Sequence, residues 1–381
     1  MVHDVDLNIT LGVEEEAFLI DPETRDLVSD PDPQLFDECE KNSAPHKVVR
    51  ELLRSQIETN TRVCDSVSEV RKALIETRGL IYKTAKKFDY DIAAISTHPF
   101  AAWQDQSPTP KERYESSAML YQELVRRLVI GGMHVHAGFG DPDMRIRVMN
   151  AVRHYLPLLL GLSTSSPFRD GLETGYKSSR LNFLAGIPRT GIPKALSSFE
   201  EFKSLEREFQ KWGFIGDAGE MWWDIRPSNA YPTIELRVCD VCTRIDDAVA
   251  IVALYASLIR KYLRTESAGS LASDEILTEI IFENRFQAQR YGIFAFLADP
   301  NDGTRTDIAD ILDRLISELH EDAEALDCVS EIEHAREIVK TGTSADRQLD
   351  LYRLALLNQK STDEALREVV DATIQETMEN V

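Results

Sequence analysis

Residues 12–20 read GVEEEAFLI. The flanking apolar residues give the segment the character of a β-strand, yet it carries three consecutive glutamates. Side chains on a strand alternate between faces, so Glu14 and Glu16 share one face and Glu15 takes the other. Neighbouring carboxylates repel, and burying either without a partner is costly. Either this face is open to water or something cationic sits on it.

Three further segments show the same division. In SQIETNT (55–61), Gln56, Glu58 and Asn60 share a face opposite Ile57. In MHVHAGF (133–139), His134, His136 and Gly138 lie opposite Met133, Val135, Ala137 and Phe139. In TIELRVC (233–239), Thr233, Glu235, Arg237 and Cys239 lie opposite Ile234, Leu236 and Val238. One apolar and one polar face per strand is the pattern of an antiparallel sheet with a core on one side and water on the other. Ordinary wet faces favour Thr, Lys and Ser, whereas these carry carboxylates and imidazoles, which bind metals. A carboxylate-rich set with little sulfur suits Mg²⁺ or Mn²⁺. Mg²⁺ shared between a few carboxylates and substrate phosphates is the usual arrangement for phosphoryl transfer. Divalent cations would make Glu14 and Glu16 tolerable.

Outward from these strands, residues 66–88 have helical periodicity and DIAAIST reads as a short strand. A Pro-rich loop follows from Pro99 to Pro110, and residues 111–129 read as helix. The stretch beginning DPDMRIRV is expected to be helical, with Asp141 as N-cap and Pro142 at the first helical position. Residues 163–197 read as a long Ser-, Gly- and Pro-rich loop with a functional purpose. MWWDIRPSNAYPTIELRVCD (221–240) contains two strand segments around a Pro-marked turn. From Asp246 onward the chain reads as helix, broken near Asp299–Gly303 and Thr341–Thr343. The fold class is therefore α+β, an antiparallel sheet with helices on one side and a helical C-terminal third. No shift in composition marks a boundary, so 1–381 reads as a single catalytic domain, helix-rich from about residue 246.

Composition excludes several classes. The 65 acidic and 43 basic residues give a net charge of −22, which disfavours a nucleic-acid surface. No run of apolar residues is long enough for a membrane span, and the N-terminus has no secretory pattern. The five cysteines are scattered, so a reducing cytoplasm is expected rather than a disulfide framework. Cys239 and Cys242 have C-x-x-C spacing but no second pair of soft ligands, so no zinc is expected there. The cations are 14 Lys against 29 Arg, and a Lys-poor acidic surface fits a protein kept soluble in high salt, as in a halophilic archaeon. No P-loop, dinucleotide fingerprint, HExxH or GxSxG is present.

The strings LGVEEEAFLIDPETRDL, ELLRSQIETNT, GMHVHAGFGDPD, YLPLLLGLSTSSPFRDGLETGYKSSR, WWDIRPSNAYPTIELRVCDV, ENRFQAQRYG and GTSADRQL run in order from residue 11 to about 349. Together they resemble the glutamate–cysteine ligase type 2 family of carboxylate–amine ligases. The resemblance implies a glutamine-synthetase-like fold, a curved antiparallel sheet whose concave face binds ATP and Mg²⁺ (or Mn²⁺). It implies small-molecule substrates, glutamate and either cysteine or another amine, joined through a γ-glutamyl phosphate. A homo-oligomer is compatible with it, as is a non-catalytic relative that retains the fold. Glu14, Glu16, Glu51, Glu58, His134 and Glu235 become the expected metal ligands, and Arg237 the contact to the transferring phosphoryl group. Arg180 and Arg226 are expected to hold substrate carboxylate or phosphate, and His136 to line the glutamate site.

Overall fold

The computed structural model describes residues 7–381 apart from 111–118, 229, 266–273 and 300–302. The GVEEEAFLI segment lies within one long strand, β1 (Thr10–Ile20). The other strands, in chain order, are β2 (Lys47–Arg50), β3 (Gln56–Asn60), β4 (Asp91–Ala93), β5 (Met133–Gly138), β6 (Phe168–Arg169), β7 (Leu172–Glu173), β8 (Ile225–Pro227), β9 (Thr233–Leu236), β10 (Phe296–Asp299) and β11 (Thr304–Asp307). Among the described residues, seven of these form one antiparallel sheet in the order β2-β3-β1-β5-β9-β8, with β4 also paired to β1. The pairs β6–β7 and β10–β11 are separate hairpins.

β1 changes character along its length. From Leu11 to Glu16 buried and half-buried residues alternate, and from Ala17 to Ile20 every residue is buried. The first half therefore has one face available for chemistry, while the second half is core on both sides. Leu11, Val13, Met133, Val135, Ala137, Ile234 and Leu236 enter the main core. There they meet the helix Ile245–Arg264, whose residues Ala248 to Ile259 are all buried. A helix apolar all round belongs at the centre of a fold. The remaining C-terminal helices, Asp274–Tyr291, Ile308–Ala325, Val329–Thr341, Ser344–Leu357 and Thr362–Thr377, complete the helical third.

Glu15 points into this core side, and its partner is Arg78 of the helix Val67–Ala85. Arg78 Nε and Nη2 donate to the two carboxylate oxygens at 3.0 and 2.7 Å. The same guanidinium also donates to the carbonyls of Thr243, Cys242 and Thr377. The middle glutamate is thus a buried ion pair tying the sheet to helices and to the chain's C-terminal end.

Most expected elements stand, with local differences. Asp141 Oδ1 accepts from the Met144 amide at 2.8 Å, and Pro142 opens the helix Pro142–Val152. The long helix foreseen beyond it is interrupted by a 3₁₀ turn at Arg153–Tyr155 before Leu156–Ser163. β2 was not foreseen, and the expected break near residues 299–303 is flanked by the paired strands β10 and β11. Of the helix foreseen over 111–129, residues 111–118 lie outside the described residues; after them residues 119–121 and Glu123–Arg126 are helical, interrupted at Gln122, whose φ is 52°. The 163–197 stretch is not plain loop, since it holds β6, β7 and the short helix Arg180–Leu184. Strict alternation also fails after Glu235. The amides of Arg237 and Val238 both donate to the Asp224 carbonyl, at 2.8 and 3.1 Å. Two donors on one acceptor make a β-bulge, which resets the faces, so Cys239 lies in the core rather than beside Arg237.

Candidate active site

Strand register assembles the polar row. Glu16 stands opposite Glu58 across β1–β3, and Glu14 opposite His134 across β1–β5. His136 stands opposite Glu235 across β5–β9, and Glu235 opposite Arg226 across β8–β9. Directly paired residues project from the same side of a sheet. Every member of the row therefore lines one cleft of about 490 Å³, together with Glu51, Arg180 and Arg237. A wall of Tyr121, Trp222, Trp223 and Tyr231 closes part of it. A larger cavity of about 1150 Å³ lies among the helices and contains none of these residues, so chemistry rather than size singles out the smaller one.

Two clusters form within the cleft. Glu14, His134 and Glu235 each offer a ligand atom, all within 4.8 Å of one another, and Glu16, Glu51 and Glu58 do the same. In the first cluster, Glu14 bridges two imidazoles, Oε2 to His134 Nδ1 at 3.0 Å and Oε1 to His136 Nε2 at 3.2 Å. His136 Nδ1 meets Thr233 Oγ1 at 2.9 Å. Burial works to raise the Glu14 carboxyl, but the hydrogen bonds of His134 and His136 hold it well below the usual range. Glu235 is likewise depressed against its burial, by the guanidinium groups of Arg237 and Arg226. Burial and then Arg237 push His134 down to about 4, so it stands neutral with a ring nitrogen able to ligate.

The second cluster has the opposite electrostatics. Burial and the Glu58 charge raise Glu16 to about 7, partly relieved by Arg180. Burial, then Glu51 and Glu14, raise Glu58 well above its ordinary value. Three carboxylates converge with more negative charge than the protein compensates. An all-oxygen donor set of this kind fits Mg²⁺ or Mn²⁺, and the mixed Glu–His–Glu set accommodates either as well.

The arginines are placed differently from one another. Arg237 hydrogen-bonds Glu235 and faces the cleft. Arg226 grips Glu235 with Nε and Nη2 at 3.0 and 3.3 Å and gives Nη1 to the carbonyls of Gly219 and Met221. Four of its five N–H donors are thus engaged within the protein, and it still lines the cleft. Arg180 is only 4% exposed; it lines the cleft and opens the short helix Arg180–Leu184 rather than sitting on a free loop. Its Nη atoms reach the carbonyls of Val238 and Arg237 at 3.4 and 3.3 Å. Gly132 makes room for it, since a Cβ there would fall 2.4 Å from Arg180 Nη2. Asp240 sits 4.0 Å from Arg180. It accepts from the Ser165 amide and the hydroxyls of Ser166 and Ser178, which gives the Ser-rich stretch a purpose that its sequence left open. Sequence reasoning also missed Arg78, Asp224 and the aromatic wall. The glycine pair 131–132 and the tryptophan pair 222–223 were the available signals.

A sheet-borne row of carboxylates with arginines beside it is suited to divalent cations and the phosphates they carry. The pattern of glutamate–cysteine ligase family 2 (GCS2) matches residues 10–372, and the chain belongs to that family. A Rhodospirillum rubrum protein named "Putative glutamate--cysteine ligase 2" is 42% identical over 372 residues, covering 97% of this chain and 95% of its own. A protein of the same name from Jannaschia sp. is 38% identical over 373 residues, covering 97% of each chain. Among solved structures, glutamate–cysteine ligase from Francisella tularensis in complex with AMP aligns with a TM-score of 0.67 at 14% identity, covering 97% of this chain and 89% of that one. A bifunctional glutathione synthetase from Pasteurella multocida aligns at 0.71 and 13% identity, covering 98% of this chain and 53% of that one. These likenesses are in fold. The named sequence relatives are bacterial, so they lend no support to the halophilic archaeal source expected from composition.

Proposed function

We propose that the protein uses ATP to join the γ-carboxylate of L-glutamate to the amino group of L-cysteine, giving γ-glutamylcysteine. The observation that carries this reading is the cross-strand register that brings two ligand clusters side by side on one cleft floor. Glu14, His134 and Glu235 would hold one Mg²⁺, and Glu16, Glu51 and Glu58 another. Bound there, the cations supply charge neutralisation for phosphates and carboxylate. Arg237 offers a guanidinium where charge develops on the transferring phosphoryl group. Arg226 keeps Glu235 ionised and aimed, and Arg180 supports Glu16 and the backbone of Arg237. A γ-carboxylate oxygen attacks the γ-phosphorus and the bond to ADP breaks. The amine nitrogen then attacks the acyl carbon of γ-glutamyl phosphate, phosphate leaves, and the nitrogen gives up a proton.

A second reading replaces cysteine with another amine. The wall of Tyr121, Trp222, Trp223 and Tyr231 favours it, because it offers more aromatic surface than a small thiol amino acid needs. Phosphate release from ATP is the test, with Mg²⁺, glutamate and a panel of amines in low and high KCl. Release that requires cysteine supports the first reading, and release with another amine the second. No release with any amine would leave a nucleotide-binding regulator that does no chemistry.

A further inference from the structure

The segment ENRFQAQRYG (283–292) lies on the helix Asp274–Tyr291 and its C-terminal end, outside the cleft, yet it is bonded to the cleft's supports. Asn284 exchanges hydrogen bonds with the Ala298 backbone and fixes the β10 hairpin. The Gln289 carbonyl takes the amides of Lys177 and Ser178. Arg285 reaches further, with Nε donating to Asp224 Oδ2 at 2.5 Å and Nη2 to Oδ1 at 3.4 Å.

Asp224 is 5% exposed and is the pivot of the bulge. Its amide donates to the Gly191 carbonyl at 2.8 Å, and its own carbonyl accepts both Arg237 N–H and Val238 N–H. Alternation from Glu235 already turns Arg237 to the cleft; the extra residue admitted by that double acceptance sends both Val238 and Cys239 into the core, and the Asp224 carbonyl holds the Arg237 backbone by its amide. Without its guanidinium partner, the Asp224 carboxylate would be a nearly buried charge at the rim of an already anionic cleft. It would turn towards water, taking its peptide with it.

We infer that Arg285 is a positioning residue for the proposed ligase reaction: by clamping Asp224 it fixes the backbone that holds Arg237 towards the phosphoryl group. The inference rests on the function proposed above. Arg285 touches no substrate in this scheme, and its effect passes through the 224–237 backbone. A misplacement of about 1 Å at a reacting group can cost about 10²-fold in rate.

The test has two readouts. Amide hydrogen exchange is measured over residues 236–240 in the unmodified protein, Arg285→Gln and Arg285→Lys, with residues 56–60 of β3, which pairs with β1 and β2 and not with β9, as internal control. Arg285→Gln should accelerate exchange at 236–240 and leave β3 unchanged, and Arg285→Lys should restore part of the protection. Unchanged exchange at 236–240, or equal acceleration in β3, overturns the inference. The second readout is kcat in a double-mutant cycle. Arg285→Gln should lower kcat by about 10²-fold in the unmodified background and by less than about threefold when Arg237 is already Gln. Equal losses in both backgrounds would mean that Arg285 acts independently of Arg237 and would overturn the inference. If Arg285→Gln does not fold, Arg285→Lys carries both comparisons. Absence of turnover in the unmodified protein would sink the ligase reading, whereas the exchange comparison would still decide the anchor.

Discussion

Arg78→Met isolates the middle glutamate of the opening triplet. Arg78 and Glu15 are 2% and 3% exposed, so neither exchanges its partner for water. Breaking a buried pair by removing one member costs about 3–5 kcal/mol, because the remaining charge is stranded. Here the carbonyls of Cys242, Thr243 and Thr377 also lose a donor, which pushes the loss towards the upper end. With unfolding entropy of about 2.1 cal/mol/K per residue over 381 residues, a loss of about 4 kcal/mol lowers the melting temperature by about 5 °C. Replacing both partners, as Glu15→Leu with Arg78→Met, removes the stranded charge and should recover most of that loss. Thermal melts and urea midpoints on the single and double variants measure it. A single-variant loss under about 1 kcal/mol, or a double variant no more stable than the single, would refute the idea that Arg78 compensates Glu15.

In the cleft, Glu235→Gln should weaken Mg²⁺ dependence and turnover together, and Arg237→Gln should cut turnover by about 10²-fold with Mg²⁺ affinity retained. Near-unchanged kcat in both variants would remove β9 from the chemistry. His98 accepts at Nδ1 from the Ala101 amide at 2.9 Å and gives Nε2 to the Arg25 carbonyl at 2.8 Å, and burial lowers it to about 4. The unfolded chain takes up that proton first, so this contribution is present above about pH 6.5 and is lost as pH falls towards 4, in total about 3 kcal/mol. Urea unfolding from pH 7 to 4 should show a steeper loss than in His98→Gln, and parallel curves would disprove it. If the charge of −22 reflects salt adaptation, activity and melting temperature should rise from dilute buffer to molar KCl. Equal stability in both would end that idea.

The strand faces were legible because a two-residue period needs only local sequence. Glu14, Glu16, Glu58, His134 and Glu235 were found by counting alternate positions, and register then placed them opposite one another. Arg78 was not legible. It sits on a helix with ordinary periodicity, and its partner lies 63 residues earlier. Arg226 and Arg180 were recognised as important, but their partners depend on which backbone carbonyls come near, and side-chain patterns do not carry that information. The bulge after Glu235 is invisible for the same reason, since nothing in ELRVC announces that two amides will share one acceptor. The β10–β11 hairpin was hidden because residues 299–303 signal a turn without saying what enters and leaves it.

The strand order also sets a timing problem for synthesis. β1 lies at the centre of the sheet but is made early, and its partners His134 and His136 on β5 follow Glu14 by 120 and 122 residues. At about 5–20 residues per second, β1 waits roughly 6–24 s before β5 exists, and longer before β9 can pair with β5. Throughout that interval Thr10–Glu15, the half of the strand that pairs with β5, has an unpaired edge available to other chains. Three adjacent glutamates at the head of the same strand act as a charged guard over that period. The residues read here as catalytic ligands would therefore also protect the nascent chain from aggregation, and their neutral variants would be expected to lose yield in cells as well as activity.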